Sequence, residues 1–264
     1  MGMLMNNMNR DRKLVVALAV RNQGSRLYGK PLQNLEIQSG TTILANLIAC
    51  LKSVSCIDQI VLGIAEGTEN AIFIDYAKKE KLRFIVGDET DVLARLIACG
   101  DEVDATDIFR TTSESPFPSF EYVQQAWDQH LVSGADGTFV DDVVDGCGFE
   151  IIKLDALRES HRKGSKRHRS ELCTLYLREN SGDFNLQKYK APPELNRKDL
   201  RLTVDNPEDL VLCRAVYKNF IAMAPRIPIS KIIEFLDLNS SLIALTKPFT
   251  EEGYKSMYIW NDNE

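Results

Sequence analysis

The sequence predicts an α/β fold with a doubly wound, mostly parallel sheet of Rossmann-like type, and three observations support this prediction. Short apolar runs rich in β-branched residues recur along the first half of the chain, as expected for strands buried on both faces. Segments with helical spacing of apolar residues separate these runs. The chain has 264 residues, 44% of them hydrophobic, which is enough to fill the core of one large domain.

The elements of the first half follow the order that βαβ units require. The four predicted strands cover residues 14–20, 59–64, 83–86 and 107–110. The four predicted helices cover residues 41–54, 71–81, 91–99 and 120–132. Because right-handed crossovers place the carboxyl ends of such strands at one edge of the sheet, we expect ligands to bind there.

The alternation changes after about residue 137, where a smaller antiparallel element is predicted. Its candidate strands are residues 138–144, 148–152, 172–177 and 184–189. Further on, the pattern predicts a strand at 202–204 and helices at 208–223 and 229–236. No internal repeat or clear linker is present, so we expect one domain over residues 13–264 after a flexible tail at residues 1–12. Two small domains are the alternative.

Composition excludes several classes of function. The net charge of -6 argues against nucleic-acid binding, which needs a basic surface. No apolar run has the length of a membrane span, and the first residues do not form a signal peptide. The six cysteines have no metal-finger spacing and suit a reducing compartment. We therefore expect a cytoplasmic protein that binds neither nucleic acid nor membrane.

The loop at residues 21–32, directly after the first strand, carries the strongest local signal. Its glycines and cations are Arg21, Gly24, Arg26, Gly29 and Lys30. Glycines let a backbone approach phosphate groups, and the cations supply mobile positive charge. Neither the Walker pattern nor the dinucleotide pattern is present, since Pro31 follows Lys30 and no G-x-G-x-x-G occurs in the loop. A solvated turn is the alternative.

Four segments in the same order resemble the cytidylyltransferases that make CMP-activated sugar acids. The resemblance is to the branch named after spore coat polysaccharide biosynthesis protein F, related to CMP-KDO synthetase and acylneuraminate cytidylyltransferase. Residues 21–32 match R-x-x-x-S-R-L-x-G-K-P-L, and residues 87–95 match G-x-x-x-D-V-L-x-R. Residues 110–116 occupy the place of R-x-T-x-D-x-P-L, and residues 201–210 are close to R-L-T-V-D-T-P-E-D-L. The ordered set is more specific than any single motif.

This resemblance implies a Mg²⁺-dependent transfer of CMP from CTP to a small acidic sugar, with release of pyrophosphate. Such a reaction depends mostly on positioning and charge neutralisation. The resemblance also implies a homodimer, with residues about 160–195 as a substrate lid or dimerisation arm. The alternatives are transfer to a phosphonate or a sugar or polyol phosphate, a glycosyltransferase, and a non-catalytic nucleotide-binding protein.

On the nucleotide side, the match implies that Arg26 and Lys30 hold the β- and γ-phosphates and stabilise the departing pyrophosphate. Five further residues are expected to lie beside the nucleotide: Arg21, Gly24, Ser25, Gly87 and Asp91. Asp91 and Arg95 stand at i and i+4 on a predicted helix, so an ion pair within the helix is the alternative role for Arg95.

The resemblance implies Asp205 and Glu114 as metal ligands. Asp205 is predicted to end the strand at 202–204, and capping of the following helix is its alternative role. Glu114 stands where the family has aspartate, and its extra methylene shifts the carboxylate. Because Mg²⁺ demands near-octahedral geometry, Glu114 is interpreted as a direct ligand, a ligand through water, or a sign of altered activity.

On the acceptor side, the candidates are Glu150, Arg167, His168, Arg169 and Glu171. A basic cluster on the predicted loop at 162–169 would form an anion-binding lid, or else a solvated loop. Leu172 follows Glu171 where relatives have histidine, which suggests a different acceptor. Glu150 would hydrogen-bond acceptor hydroxyls, with an ordinary exposed strand residue as the alternative.

Overall fold

The computed structural model describes residues 12–24 and 26–256, without the side chains of residues 252 and 254–256. The predicted tail, apart from its last residue, and Ser25 therefore lie outside the described residues. The strands, in chain order, are β1 (Leu14–Val20), β2 (Asn34–Glu36), β3 (Thr41–Thr42), β4 (Gln59–Ala65), β5 (Arg83–Gly87), β6 (Asp107–Arg110), β7 (Gly137–Val140), β8 (Phe149–Lys153) and β9 (Leu186–Lys188). The helices are α1 (Ile43–Lys52), α2 (Ala71–Lys79), α3 (Val92–Asp101), α4 (Val123–Ser133), α5 (Leu154–Lys163), α6 (Leu175–Glu179), α7 (Pro207–Asn219), α8 (Ile229–Asp237) and α9 (Ser240–Ser256).

Seven strands form the main sheet in the order β5-β4-β1-β6-β8-β7-β9. β1 pairs in parallel with β4 and β6, so that Val16 lies between Ile60 and Phe109. β8 runs antiparallel to both β6 and β7, and β9 is parallel to β7. β2 and β3 form a separate antiparallel pair. The predicted doubly wound, mostly parallel sheet with a smaller antiparallel element is confirmed.

The core lies on both faces of the sheet, which explains the continuous apolar run of β1. Val16 and Leu18 belong to a large cluster that includes buried residues of α1, α2, α4, α7 and α8. Val15 and Ala17 point to the opposite face and a smaller cluster with buried residues of α3, α5 and α6. Alternate side chains of one strand thus enter two cores, as the pleat requires.

The structure corrects the predicted strand at 172–177, which is instead a turn followed by α6. Cys173 and Leu177 are four residues apart and both fully buried, which is the spacing of one helical face. The strand predicted at 202–204 is also wrong. The residue before that segment, Arg201, forms an isolated bridge with Asp145, and within the segment the amide of Val204 donates to the Glu114 carbonyl oxygen at 3.1 Å.

The second half contains two further departures from the prediction. The basic segment at 162–169 is not one loop, because α5 extends to Lys163 and a 3₁₀ turn covers Lys166–Arg169. α9 was not predicted, and it contains Pro248. None of the described helices combines the length and the apolarity that crossing a bilayer requires.

Candidate active site

Two cavities meet at the carboxyl ends of β1 and β6. The first has a volume of about 270 Å³ and lies between the loop after β1 and the start of α3. The second, of about 650 Å³, lies between the loop after β7, the start of β8 and α9. Both are lined by Arg26, Arg110, Thr111, Thr112, Glu114, Glu171 and Asp205. Ligands bound in the two cavities would therefore come together at these residues.

The loop after β1 is held in a compact conformation by contacts within the loop and with Asn70. The backbone of Gly29 is left-handed, with φ of 60°, and its amide donates to the Asn22 carbonyl oxygen at 2.9 Å. A Cβ atom on Gly24 would collide with the carbonyl oxygen of Leu27. The Asn22 amide donates to Asn70 Oδ1 at 2.7 Å. Gly24 lines the first cavity, so the loop offers it a close backbone approach without an intervening side chain.

Three cations of this loop line the first cavity, namely Arg21, Arg26 and Lys30. Lys30 Nζ donates to Asp205 Oδ1 at 2.6 Å, and the half-exposed guanidinium of Arg26 lies 3.8 Å from the same oxygen. Arg21 pairs with Glu171. The predicted phosphate-binding side chains are thus brought together with the predicted metal ligand Asp205.

Asp205 does not cap the helix that follows it. The N-cap of α7 is Asn206, which forms a capping box with Asp209. Asp205 instead contacts Lys30 and Arg201. Burial would raise the pKa of Asp205, but the hydrogen bond from Lys30 and the charges of Lys30 and Arg201 lower it overall. The carboxylate is therefore held ionised at the junction of the cavities.

Arg201 ties Asp205 to two other carboxylates. Its guanidinium donates to Asp145 at 2.7 Å and to Asp209 at 3.2 Å, and all three of these side chains are nearly fully buried. Burial raises the pKa of Asp145, and the charges of Asp205 and Asp209 add to that effect, while Arg201 opposes it. Asp145 lines the second cavity, so this network connects that cavity to Asp205.

Glu114 faces both cavities beside Asp205. Burial raises the pKa of Glu114, the charge of Asp205 raises it further, and Lys30 partly offsets both effects. Among the described residues, no group of three or more metal-ligating side chains lies together. Mg²⁺, however, is usually held by one or two carboxylates, with waters and substrate phosphates completing its shell. Two carboxylates that repel one another at the end of a cation-lined cavity fit that mode of binding.

The structure places Gly87 and Asp91 beside the first cavity but not in its lining. Gly87 is the last residue of β5, and Asp91 is the N-cap of α3, accepting from the Ala94 amide at 2.9 Å. The predicted ion pair between Asp91 and Arg95 is not formed. Asp91 Oδ2 lies 2.8 Å from His161 Nε2, and the Arg95 guanidinium donates to backbone oxygens, including that of Gly63 at 2.8 Å.

Of the predicted acceptor-binding residues, Glu150 and Glu171 line the second cavity. Glu150 is only 4% exposed, so the alternative of an ordinary exposed residue is wrong. Its carboxylate accepts from Arg110 at 2.9 Å, Arg178 at 2.8 Å and Thr174 at 2.7 Å. Burial would raise the pKa of Glu150, but the charges of Arg110 and Arg178 lower it overall.

The basic residues predicted for a lid are bound elsewhere. Arg167 and His168 both contact Glu179, at 2.5 Å and 2.8 Å, and Arg169 donates to the His161 carbonyl oxygen at 2.9 Å. None of these three side chains lines either cavity. The structure therefore brings the loop after β1, Glu114 and Asp205 together at the cavities, whereas the three basic residues lie outside them.

Several cavity residues were missed by sequence reasoning. Arg110 and Arg201 begin two of the matched motifs, so their positions were visible even though no role was assigned to them. Asp145 directly follows the strand predicted at 138–144, whereas Asp141 was placed inside that strand, which in the structure ends at Val140. Phe249 had no signal, because the helix that carries it was not predicted.

Comparison with known proteins found a relative by sequence and several solved structures of similar fold. No family model matches the chain. The spore coat polysaccharide biosynthesis protein SpsF of Bacillus subtilis (strain 168) is 25% identical over 183 residues, which cover 69% of this chain and 76% of SpsF. A cytidylyltransferase structure from Leptospira borgpetersenii superposes with a TM-score of 0.78 at 21% identity, covering 88% of this chain and 97% of the other.

A second solved structure is that of CMP:2-keto-3-deoxy-manno-octonic acid synthetase complexed with CTP. It has a TM-score of 0.58 at 15% identity and covers 79% of this chain and 99% of the other. At these identities the structures establish the fold, and SpsF adds a likeness in sequence. The chain thus resembles the cytidylyltransferases in sequence and in fold, as its motifs predicted.

Proposed function

We propose that this protein is a cytidylyltransferase that binds CTP in the first cavity and its acceptor in the second. The observation that carries the proposal is the junction of the two cavities at Glu114 and Asp205, beside Arg26 and Lys30. A transferase needs its nucleotide and acceptor in contact, with positive charge at the departing group. The likeness to SpsF and to a synthetase solved with CTP supports the choice of CTP.

In the proposed reaction, a hydroxyl oxygen of the acceptor bonds to the α-phosphorus while the bond to the β-phosphate breaks and pyrophosphate leaves. Gly24 provides a close backbone approach for the triphosphate. Arg26 and Lys30 neutralise the charge that develops on the pyrophosphate. In the described structure Lys30 contacts Asp205, so its ammonium must turn from that carboxylate to the phosphates when CTP binds.

We further propose Mg²⁺ as the cofactor, held by Asp205 and Glu114. When bound, the ion would neutralise part of the negative charge of the phosphate groups. Its binding would also relieve the repulsion between the two carboxylates that raises the pKa of Glu114. Arg201 keeps its contact with Asp205 through the other oxygen, Oδ2, and so orients that carboxylate.

The proposed acceptor is a small acidic sugar used in surface polysaccharide synthesis, a class suggested by the likeness to SpsF. The second cavity has room for such a molecule, and it presents both carboxylates and the aromatic side chains of Phe149 and Phe249. Transfer to a phosphonate or to a sugar or polyol phosphate is a second candidate, because Arg26, Arg110 and Arg201 line this cavity and guanidinium groups pair with phosphate oxygens. We also propose a cytoplasmic homodimer, following the resemblance.

The test is pyrophosphate release from each of the four nucleoside triphosphates with Mg²⁺, against a panel of acidic sugars and phosphonates. We expect release with CTP and one acceptor, and its loss in Asp205→Asn. The matched control is Asp199→Asn, a half-exposed aspartate paired with Arg197 outside both cavities, which should keep full activity. Folded protein that neither binds CTP nor releases pyrophosphate with any acceptor contradicts the proposal.

A further inference from the structure

We propose that Arg95 is the fixed positive charge that anchors the phosphate groups of the nucleotide in the first cavity. This inference rests on the proposed function, because its ligand is the nucleotide. It adds a binding residue on α3 to the mobile cations of the loop after β1.

The position of Arg95 is fixed by three backbone contacts. Its guanidinium donates to the carbonyl oxygens of Val20 at 3.3 Å, Gly63 at 2.8 Å and Glu89 at 3.4 Å. Val20 ends β1, Gly63 lies in β4, and Glu89 belongs to the loop after β5. The side chain is 2% exposed and still lines the first cavity. Arg95 therefore forms part of the cavity floor where the parallel strands end.

Two strand glycines make room for this side chain. A Cβ atom added to Gly63 would lie 3.4 Å from Arg95 Cβ, and one added to Gly87 would lie 3.0 Å from Arg95 Cγ. The second distance is shorter than ordinary van der Waals contact. Gly87 thus leaves room for the stem of Arg95, and Gly63, whose added Cβ would lie 3.1 Å from Cys99 Sγ, leaves room for the helix that carries it.

Arg95 differs from the other cations of the first cavity in having no carboxylate partner. Lys30 and Arg26 lie 2.6 Å and 3.8 Å from Asp205, Arg110 lies 2.9 Å from Glu150, and Arg21 pairs with Glu171. Among the described residues, no ion pair includes Arg95, and its Nε atom is buried without a hydrogen-bond partner. Its only anchors are neutral carbonyl oxygens.

A buried cation without a carboxylate in direct contact is unfavourable for an isolated protein. Burial, together with the charge of Arg21, lowers the pKa of Arg95, and the charge of the exposed Asp88 offsets this only in part, yet a guanidinium stays charged in proteins. If Arg95 served only to bind these carbonyl oxygens, an uncharged hydrogen-bond donor would be sufficient at this position. The incomplete compensation of this charge is explained if an anionic ligand completes the site, and the cavity that Arg95 lines is the one assigned to the triphosphate.

The test compares CTP binding by calorimetry in wild type, Arg95→Gln and Arg95→Lys. Glutamine keeps a donor but removes the charge, whereas lysine keeps a charge without the planar fork. We expect Arg95→Gln to weaken CTP binding about tenfold or more, and Arg95→Lys to recover part of the loss. The matched control is Arg83→Gln, an exposed arginine of β5 outside the cavity, which should bind CTP as wild type does.

Thermal unfolding of each variant shows whether it is folded. It therefore separates a role of Arg95 in stability from a role in CTP binding. Equal CTP affinity of folded Arg95→Gln and wild type would overturn the inference, as would equal losses in the glutamine and lysine variants. If wild type itself fails to bind CTP, the proposed function fails and this inference falls with it. If wild type binds CTP and only the Arg95 expectation fails, the proposed function stands.

Discussion

Glu114 and Asp205 lie side by side, and their pKa values are shifted in opposite directions. Burial acts on both carboxyl groups, but Asp205 has the ammonium of Lys30 and the guanidinium of Arg201 in direct contact. Burial and the charge of Asp205 raise the pKa of Glu114, and the charge of Lys30 offsets them only in part. The protein thus keeps Asp205 ionised, whereas an added cation would stabilise the ionised form of Glu114.

The pH dependence of stability should report the raised pKa of Glu114. Folding favours the neutral form of this carboxyl, so its ionisation costs stability above the folded-state pKa. That cost disappears as the pH falls through the folded pKa toward the ordinary glutamate value of about 4.3. Without Mg²⁺ or nucleotide, we expect Glu114→Gln to melt higher than wild type at pH 8, with the difference closing near pH 4.

Melting curves between pH 4 and 8 would measure this difference, with Glu80→Gln, an exposed glutamate of the surface, as the control. A difference that stays constant with pH would show that packing, not ionisation, separates Glu114→Gln from wild type.

At the scale of elements, α9 reaches the second cavity and the Arg201 network from the end of the described chain. Phe249 and Gly253 of this helix line the cavity. A Cβ atom on Gly253 would collide with Arg201 Nη1 and lie 3.3 Å from Asp145 Oδ2. The helix therefore approaches the network closely because residue 253 is glycine.

We expect Gly253→Ala to lower both the melting temperature and the rate of pyrophosphate release, because Arg201 must move and Asp205 moves with it. The loss of rate should be on the order of tenfold, as displacement of a supporting side chain typically gives. Alanine has a higher helix propensity than glycine, so a fall in stability would identify the collision as its cause. Gly182→Ala is the control, since nothing lies within 4 Å of that added Cβ.

A strand or helix could be predicted when the apolar pattern of its own segment showed which side chains are buried. β1 and β4 are continuous apolar runs, and their predicted bounds agree with the structure to within one residue. α6 was mistaken for a strand because its short apolar stretch fits either period. α9 contains Pro248 and has a polar sequence, so its helical pattern is weak.

The candidate site, too, could be predicted only in part. The family resemblance implied that Arg26, Lys30 and Asp205 belong to one site, and the structure brings them together. Their roles stay predictions until binding is measured. The partners of Arg95 could not be predicted, because its carbonyl acceptors come from β1, β4 and a loop that only the tertiary fold assembles.

At the scale of the whole molecule, the two ends of the sheet carry different ionic clusters. Asp107, at the amino end of β6, is fully buried and contacts Arg12 and Thr106. It also lies 3.0 Å from His130 Nε2, and the other ring nitrogen lies 2.9 Å from Thr138 Oγ1. None of these residues lines either cavity. This cluster fastens the amino end of β6 to α4 and β7.

Asp107→Asn should therefore reduce stability without changing the chemistry. Burial would raise the pKa of Asp107, but hydrogen bonds from His130 and Arg12 lower it overall. Its stabilising contribution is thus present above the unfolded pKa of about 3.9 and lost as the pH falls through the lower folded value. At pH 7 we expect a loss on the order of 3 kcal/mol in the free energy of unfolding, measured with urea. A changed KM for CTP would contradict this separation.

The shared wall between the two cavities has a consequence for inhibitor design. A cytidine phosphate and an acceptor mimic bound in adjoining cavities could be joined by a short linker running past Glu114 and Asp205. Joining two weak ligands makes the second binding event intramolecular, so affinity rises by roughly 10²–10⁴ when the linker spans the gap without strain. A basic group in that linker would face both carboxylates at the junction of the cavities.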